Sequence, residues 1–363
     1  MKTKNLLILL AIAGIMIFAS CKKDETPEPL TKDEATTALT TISTNYGTDM
    51  EGFENSDATE AKDVVDDLGL PFFSGGLKAP INAKTLDKEI LKVYNPSNVS
   101  KGEGPYIDVY MTTNAGTWQK VDGEWTRTLT TPTDKIVVIF SYNGGNNNAT
   151  LTFFNYEKKT VTYGEETMSY MSSLSCKLDI IGMTNPVISW DYTASLKYST
   201  TSSVMKMKFV YKLGEYALTQ SFGVSGSSSL SSSKIEISAF EEIKKSGEVL
   251  RSTLIEMTMT ASQSSQSYSF IAKFRIKNII IKWDINLDQN TNTEGNPDDY
   301  MDISVWTADG AKVADVIFKL EGEEYIAYFK FTDGTEQKIS ELLSEYLYLE
   351  ILDFNEEIMD FKK

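Results

Sequence analysis

The chain has no histidine among its 363 residues, and this absence excludes more chemistry than any residue present suggests. Without imidazole there is no Ser-His-Asp or Cys-His nucleophilic catalysis, no His-ligated zinc and no histidine pH switch. Cysteine is nearly as scarce, with Cys21 and Cys176 the two in the chain. Positive charge is in deficit: 35 Lys and Arg stand against 51 Asp and Glu, a net of −16. That balance argues against a nucleic-acid partner, whose phosphates need Lys and Arg to displace counterions. It suits a solvated body held off an anionic surface. The apolar run from Leu6 to Phe18 is too short for a bilayer span, which takes about 20 residues. No catalytic or cofactor motif stands out, so the sequence speaks to address and architecture more than to activity. An apolar content of 41%, with 17 Phe, 18 Tyr and 5 Trp, rules out a disordered chain and supplies a substantial core.

Lys2 and Lys4 precede the apolar run, and Ala19-Ser20-Cys21 and Lys22-Lys23-Asp24-Glu25 follow it. A charged start, a short apolar stretch and small residues at the cut make a secretory pattern. With Cys21 directly behind the small residues, it resembles a bacterial lipoprotein signal, in which Cys21 becomes the acylated first residue. Phe18 stands where that pattern prefers Leu. Lys22, Lys23, Asp24 and Glu25 resemble the export signal of Bacteroidota surface lipoproteins, which implies an outer-membrane lipoprotein exposed at the cell surface. The expected division is a signal peptide over 1–20, a flexible tether over 21–30 and a helical segment over 31–70. An antiparallel β domain, as one body or two subdomains, takes 71–332, and a C-terminal helix takes 333–363. If Cys21 is acylated, Cys176 is the remaining thiol and no intramolecular disulfide forms. Cys176 shares parity with Leu174, Leu178 and Ile180, which marks it as a buried small hydrophobe and not a nucleophile.

Thr31-Lys-Asp-Glu34 has capping-box spacing and predicts a first helix to about Tyr46, stopped near Gly47. A second is expected from Asp57 to Leu68, ending at Gly69 with Pro71 beyond. From Ile90 to Thr332 the pattern is of antiparallel strands. Met205–Leu213 alternates, with Lys206, Lys208 and Lys212 outward. Ile255, Met257 and Met259 repeat the pattern. Inward positions are even from Tyr268 to Ile276 and odd from Ile279 to Leu287, so the chain must break near Lys277-Asn278. Lys135–Phe140 is an apolar run suited to burial on both faces. Asp122-Gly123, Asn143-Gly144-Gly145, Glu321-Gly322 and Asp333-Gly334 supply the positive φ of tight turns, as in a meander. After Thr335, helical spacing of Ile339, Leu342, Leu343, Tyr346, Leu347, Glu350 and Ile351 predicts a helix lying across the sheet as a plug or lid. The fold expected is mainly β: a large antiparallel meander, as a curved sheet or half-barrel, with an N-terminal helical segment and a C-terminal helix packed on it.

Two constellations stand out within that frame. The Asp122-Gly123 hairpin should pair Val121 with Glu124, Lys120 with Trp125, and Trp118 with Arg127. Trp118, Lys120, Trp125 and Arg127 would then share a face, either as a glycan-stacking platform or as a hairpin stabilised by its own ladder. The loop Asp288–Asp299 places oxygen ligands at Asp288, Asn290, Asn292, Glu294 and Asp299, similar to a calcium loop. Thr293 replaces its turn glycine and Asp299 its longer Glu, so an acidic hairpin loop is the plainer reading. No cofactor is expected beyond a structural calcium there.

Gly116-Thr-Trp, Trp125-Thr-Arg-Thr, Pro132–Phe140 and Asn148-Ala-Thr-Leu-Thr152 together resemble Bacteroidota outer-membrane and cell-surface lipoproteins of unknown function. The resemblance covers Trp118 to Leu250. It implies a β-rich surface lipoprotein and carries no catalytic residues.

The leading expectation is a lipid-anchored, non-catalytic binding or structural module of the envelope. In its specific form, Met205, Met207, Phe209, Tyr211, Ile255, Met257 and Met259 line a soft face that shelters an apolar ligand. The competing expectation is surface glycan capture beside polysaccharide uptake, on Trp118 and Trp125. The third is a carboxylate-dependent glycan-active enzyme. The partners expected are the membrane, through the anchor, and an apolar ligand or glycan.

Overall fold

The computed structural model describes residues 27–71 and 111–348, apart from 164–165, 200, 230, 263–264, 289–295, 323 and 346. Cys21, Lys22, Lys23, Asp24 and Glu25, the strands expected before 111, and the tail with Glu350 and Ile351 lie outside the described residues.

Helix α1 spans Lys32–Glu54 and begins on the expected capping box: Glu34 N–H donates to Thr31 Oγ1 at 3.4 Å, and Thr31 N–H donates to Glu34 Oε2 at 2.9 Å. Its buried stripe is Ala35, Leu39, Ile42, Tyr46 and Met50. The helix passes the stop expected at Gly47. A mid-helix glycine costs about 1 kcal/mol relative to alanine. Burial of Tyr46 and Met50 on either side, each such side chain contributing about 1.5–3 kcal/mol, outweighs it. Helix α2, Asp57–Asp66, is capped by Ser56, whose hydroxyl accepts from Thr59 N–H at 3.3 Å, and Gly69 beyond it has φ +60°. The short helix α3, Met111–Asn114, leads into the sheet.

One sheet of sixteen strands follows among the described residues. It begins with β1 (Gly116–Val121), β2 (Glu124–Leu129), β3 (Ile136–Phe140), β4 (Ala149–Tyr163) and β5 (Glu166–Ile180). Then come β6 (Ile188–Tyr198), β7 (Ser202–Leu213), β8 (Tyr216–Ser228), β9 (Ser232–Lys245), β10 (Glu248–Ser262) and β11 (Gln266–Ile276). Last are β12 (Ile279–Asp288), β13 (Met301–Thr307), β14 (Lys312–Glu321), β15 (Glu324–Phe331) and β16 (Glu336–Lys338). From β3 to β16 each strand pairs with its sequence neighbours, all antiparallel, as a meander. The exception is at the start, where β1 pairs β3 in parallel and β2 forms the edge. The sheet is therefore open.

The expected turns form. Asp122 and Gly123 have φ of 52° and 87°, and the β1–β2 register pairs Val121 with Glu124, Lys120 with Trp125, and Trp118 with Arg127, as read from the sequence. The parity break at Lys277-Asn278 is the β11–β12 hairpin turn, with Lys277 at φ 49°. Gly116 has φ +131°, and a Cβ there would lie 2.3 Å from the Leu129 carbonyl oxygen, so no other residue fits without a shift. On β3 alternation replaces the expected two-faced burial: Ile136, Val138 and Phe140 are buried, while Val137 and Ile139 are half-buried.

The core lies along one face of the sheet, with α1 packed against β12 and β14. Asp49 of α1 pairs with Lys277 at 2.5 Å, and Phe53 meets Tyr216 edge-on with ring centroids 5.3 Å apart. The C-terminal segment differs from the single helix expected after Thr335. Glu336–Lys338 pairs with Tyr328–Lys330 as β16, and helix α4 is only Ile339–Leu342. Leu343 then turns extended, which lets Ser344 reach α1: its N–H donates to Ser43 Oγ, and its hydroxyl donates to the Ser43 carbonyl at 3.2 Å.

Candidate functional site

The inward face can be followed from strand to strand through the ladders. One row runs Leu174, Tyr192, Phe209, Gln220, Glu241, Thr253, Phe274, Ile281, Val305, Ala314 and Phe331, from β5 to β15. Parity alone produces it, because each strand alternates and each hairpin keeps its register. The soft face expected from the sequence is present: Met205, Met207, Phe209 and Tyr211 are buried on β7, and Ile255, Met257 and Met259 lie half-buried on β10 of the same face. Tyr192 and Phe209 pack with ring centroids 4.7 Å apart. The outward side carries Lys206, Lys208 and Lys212, all exposed.

Three adjacent strands interrupt the apolar row. Gln220 on β8 is buried, and its amide donates to Glu241 Oε2 on β9 at 2.9 Å; Thr253 follows on β10. Arg251, one inward position along β10, has its guanidinium 5.5 Å from the Phe274 ring centroid. The apolar face therefore holds a polar belt at its middle. Inward parity at Gln220 and Glu241 could have revealed it in the sequence.

A cavity of about 170 Å³ opens on the same face. Ile281 and Trp283 of β12, Ile303 of β13 and Val316 and Phe318 of β14 form one wall. Tyr325, Ile326, Ala327 and Phe329 of β15, with Ile339 and Tyr348 of the C-terminal segment, complete it. Of its lining, Trp283 and Phe329 are each 1% exposed, whereas Tyr325 is 38% exposed. The C-terminal segment thus covers part of the face near β15 and β16; among the described residues α4 makes its main contacts with α1, β15 and β16, away from β7–β10.

No family model, curated protein or solved structure matches this chain. Its chemistry therefore rests on its own side chains.

The Trp118, Lys120, Trp125 and Arg127 hairpin is knitted inward. Trp118 Nε1–H donates to the Asn114 carbonyl at 2.8 Å, and Trp125 Nε1–H to the Leu68 carbonyl, at the end of α2, at 2.9 Å. Arg127 donates to the Thr113 carbonyl at 2.8 Å, and Lys120 Nζ lies 5.4 Å from the Trp125 ring centroid. Both indole donors therefore serve the fold.

Asp288 ends β12 exposed, and Asp299 sits in a 3₁₀ turn, Pro297–Asp299. Asn290, Asn292 and Glu294 lie outside the described residues. Neighbouring groups tie the loop's end down: Asn296 accepts from Asp298 N–H at 3.2 Å, and the Asp298 carboxylate accepts from Phe318 N–H at 3.2 Å. Among the described residues no three His, Cys, Asp or Glu side chains are grouped to hold a metal ion. Cys176 is buried at 2% exposure, and burial pushes its thiol well above the ordinary value.

Proposed function

We propose that the protein is a lipid-anchored envelope module that shelters an apolar ligand on the inner face of its sheet. The observation that carries this reading is the cavity between β12–β15 and the C-terminal segment. Apolar concavities lined by aromatic side chains with a few polar groups are the usual sites for small molecules, and this smaller one opens beside the part-exposed Tyr325. The methionine-rich track on β7 and β10 supports it, because thioether side chains adapt to ligands of irregular shape. The membrane address rests on Cys21 and on the tetrad Lys22, Lys23, Asp24 and Glu25. Two or more acyl chains on Cys21, at about 0.8 kcal/mol per buried methylene, would hold the body at a membrane.

Two measurements test the two halves. Protein extracted in a mild detergent should carry a co-purifying apolar compound visible by mass spectrometry, and preparations consistently free of one would count against the sheltering role. Metabolic labelling with palmitate should mark the wild type, and Cys21→Ala should leave the membrane fraction. An unlabelled wild type, with Cys21→Ala fractionating unchanged, would remove the anchor.

A further inference from the structure

The shape of the cavity narrows the class of ligand. Building on the apolar-ligand role, we propose that it is a pocket for a single aromatic ring, or a group of that size, and that it does not take a long acyl chain.

Size favours a ring. An engineered apolar cavity of about 150 Å³ stays dry and binds benzene, a six-carbon ring. The cavity here, about 170 Å³, is of the same order and holds one ring with little to spare. A membrane-length acyl chain has more than twice as many heavy atoms and would need a tunnel. The volume here is too small to enclose one.

The lining favours one too. Trp283, Phe318, Tyr325, Phe329 and Tyr348 supply five ring systems around one small space. Rings favour edge-to-face and offset partners at centroid separations of roughly 4.5–7 Å, so an aromatic guest gains geometry that a flexible chain cannot use. Opposite Phe318 on the ladder stands Ala327, the smallest side chain of the wall. A larger side chain at this position would take up part of the same space.

Access points the same way. Leu320 and Tyr325 are cross-strand partners near the tip of the β14–β15 hairpin, and they are 60% and 38% exposed. Tyr325 itself lines the cavity, so apolar surface reaches solvent at its edge, where a ligand must shed water. Tyr325 and Tyr348 also bring phenol groups to the lining, which suits a ring with one polar edge, such as indole or phenol.

The experiment uses the detergent-extracted full chain, with indole and hexadecanoate as probes, followed by calorimetry and thermal melting. Indole should bind saturably and raise the melting temperature. Ala327→Phe, which fills the space, should weaken indole at least tenfold; if that variant melts below the wild type, Ala327→Leu, a smaller filling, decides in its place. Indole binding that survives both substitutions would overturn the assignment to this cavity. Hexadecanoate binding without indole binding would overturn the ring-sized ligand and leave the sheltering role standing. If neither probe binds, the ring-sized pocket is overturned, and the sheltering role is decided separately by the co-purifying compound.

Discussion

Gln220 and Glu241 face one another across the β8–β9 ladder, joined by an amide-to-carboxylate hydrogen bond of 2.9 Å inside a face built mostly of apolar side chains. A bond to an ionised acceptor is stronger than a neutral one, and a polar group left without its partner in such a place is costly. The pair therefore favours this register, since a two-residue slip, which keeps both side chains inward, would set Gln220 opposite Ala239 or Ile243 and Glu241 opposite Leu218 or Phe222.

Gln220→Leu should lower stability by about 1–3 kcal/mol, because it strips Glu241 of a donor while the carboxylate stays in place. Gln220→Leu with Glu241→Leu should cost less than the sum of the single changes. Urea unfolding of the four proteins in a double-mutant cycle reads the coupling, and simple additivity would show that the bond contributes nothing.

Trp125 ties the β1–β2 hairpin to the end of α2 through its indole N–H and the Leu68 carbonyl. Trp125→Phe keeps most of the ring and removes the donor, so a loss of about 0.5–1.5 kcal/mol is expected in urea unfolding. A glycan array with unchanged, empty results for wild type and for Trp118→Ala with Trp125→Ala would agree with a hairpin whose aromatic ladder is structural.

Cys176 should be inert while the chain is folded. Its burial between β4 and β6 disfavours the thiolate, the form that attacks thiol reagents. Labelling by a chromogenic disulfide should follow global unfolding as urea is raised, and rapid labelling in native buffer would contradict the buried placement.

The capping box gives a pH dependence. Hydrogen bonds from the Thr31 backbone and hydroxyl hold the Glu34 carboxyl below its ordinary value of 4.5. A carboxylate with a depressed value stabilises the fold fully above the unfolded value, and that contribution is lost as pH falls through the folded one. Thr31→Ala should therefore melt lower than wild type at pH 7, with the gap narrowing below about pH 4.5. A gap that stays constant with pH would show that the carboxylate takes no part.

Much of the fold was legible because strands obey a two-residue period. Met205–Leu213 announced its inward face, and Asp122-Gly123 fixed three cross-strand pairs by the length of its turn alone. The parity change around Lys277 had to be a break, and it is a turn. What could not be read depends on contacts far apart in the chain. Gly47 stays helical because Tyr46 and Met50 are buried in the core, and Glu336–Lys338 becomes a strand because Tyr328–Lys330 offers it an edge. Local spacing favoured helix there. The parallel pairing of β1 with β3 and the ring-lined cavity likewise arise from several segments meeting, which no single stretch encodes.

Ser43 and Ser344, 301 positions apart, are hydrogen-bonded to each other, and Leu30 donates to Lys312 from the far side of the sheet's sequence. Hairpin after hairpin can assemble locally as the polypeptide emerges, yet the helix at Lys32–Glu54 completes its seat, on β12 and β14, only once the meander is nearly finished. A nascent chain stalled or clipped before about Lys312 would therefore leave that helix without its β14 support and its oily stripe open to quality-control proteases.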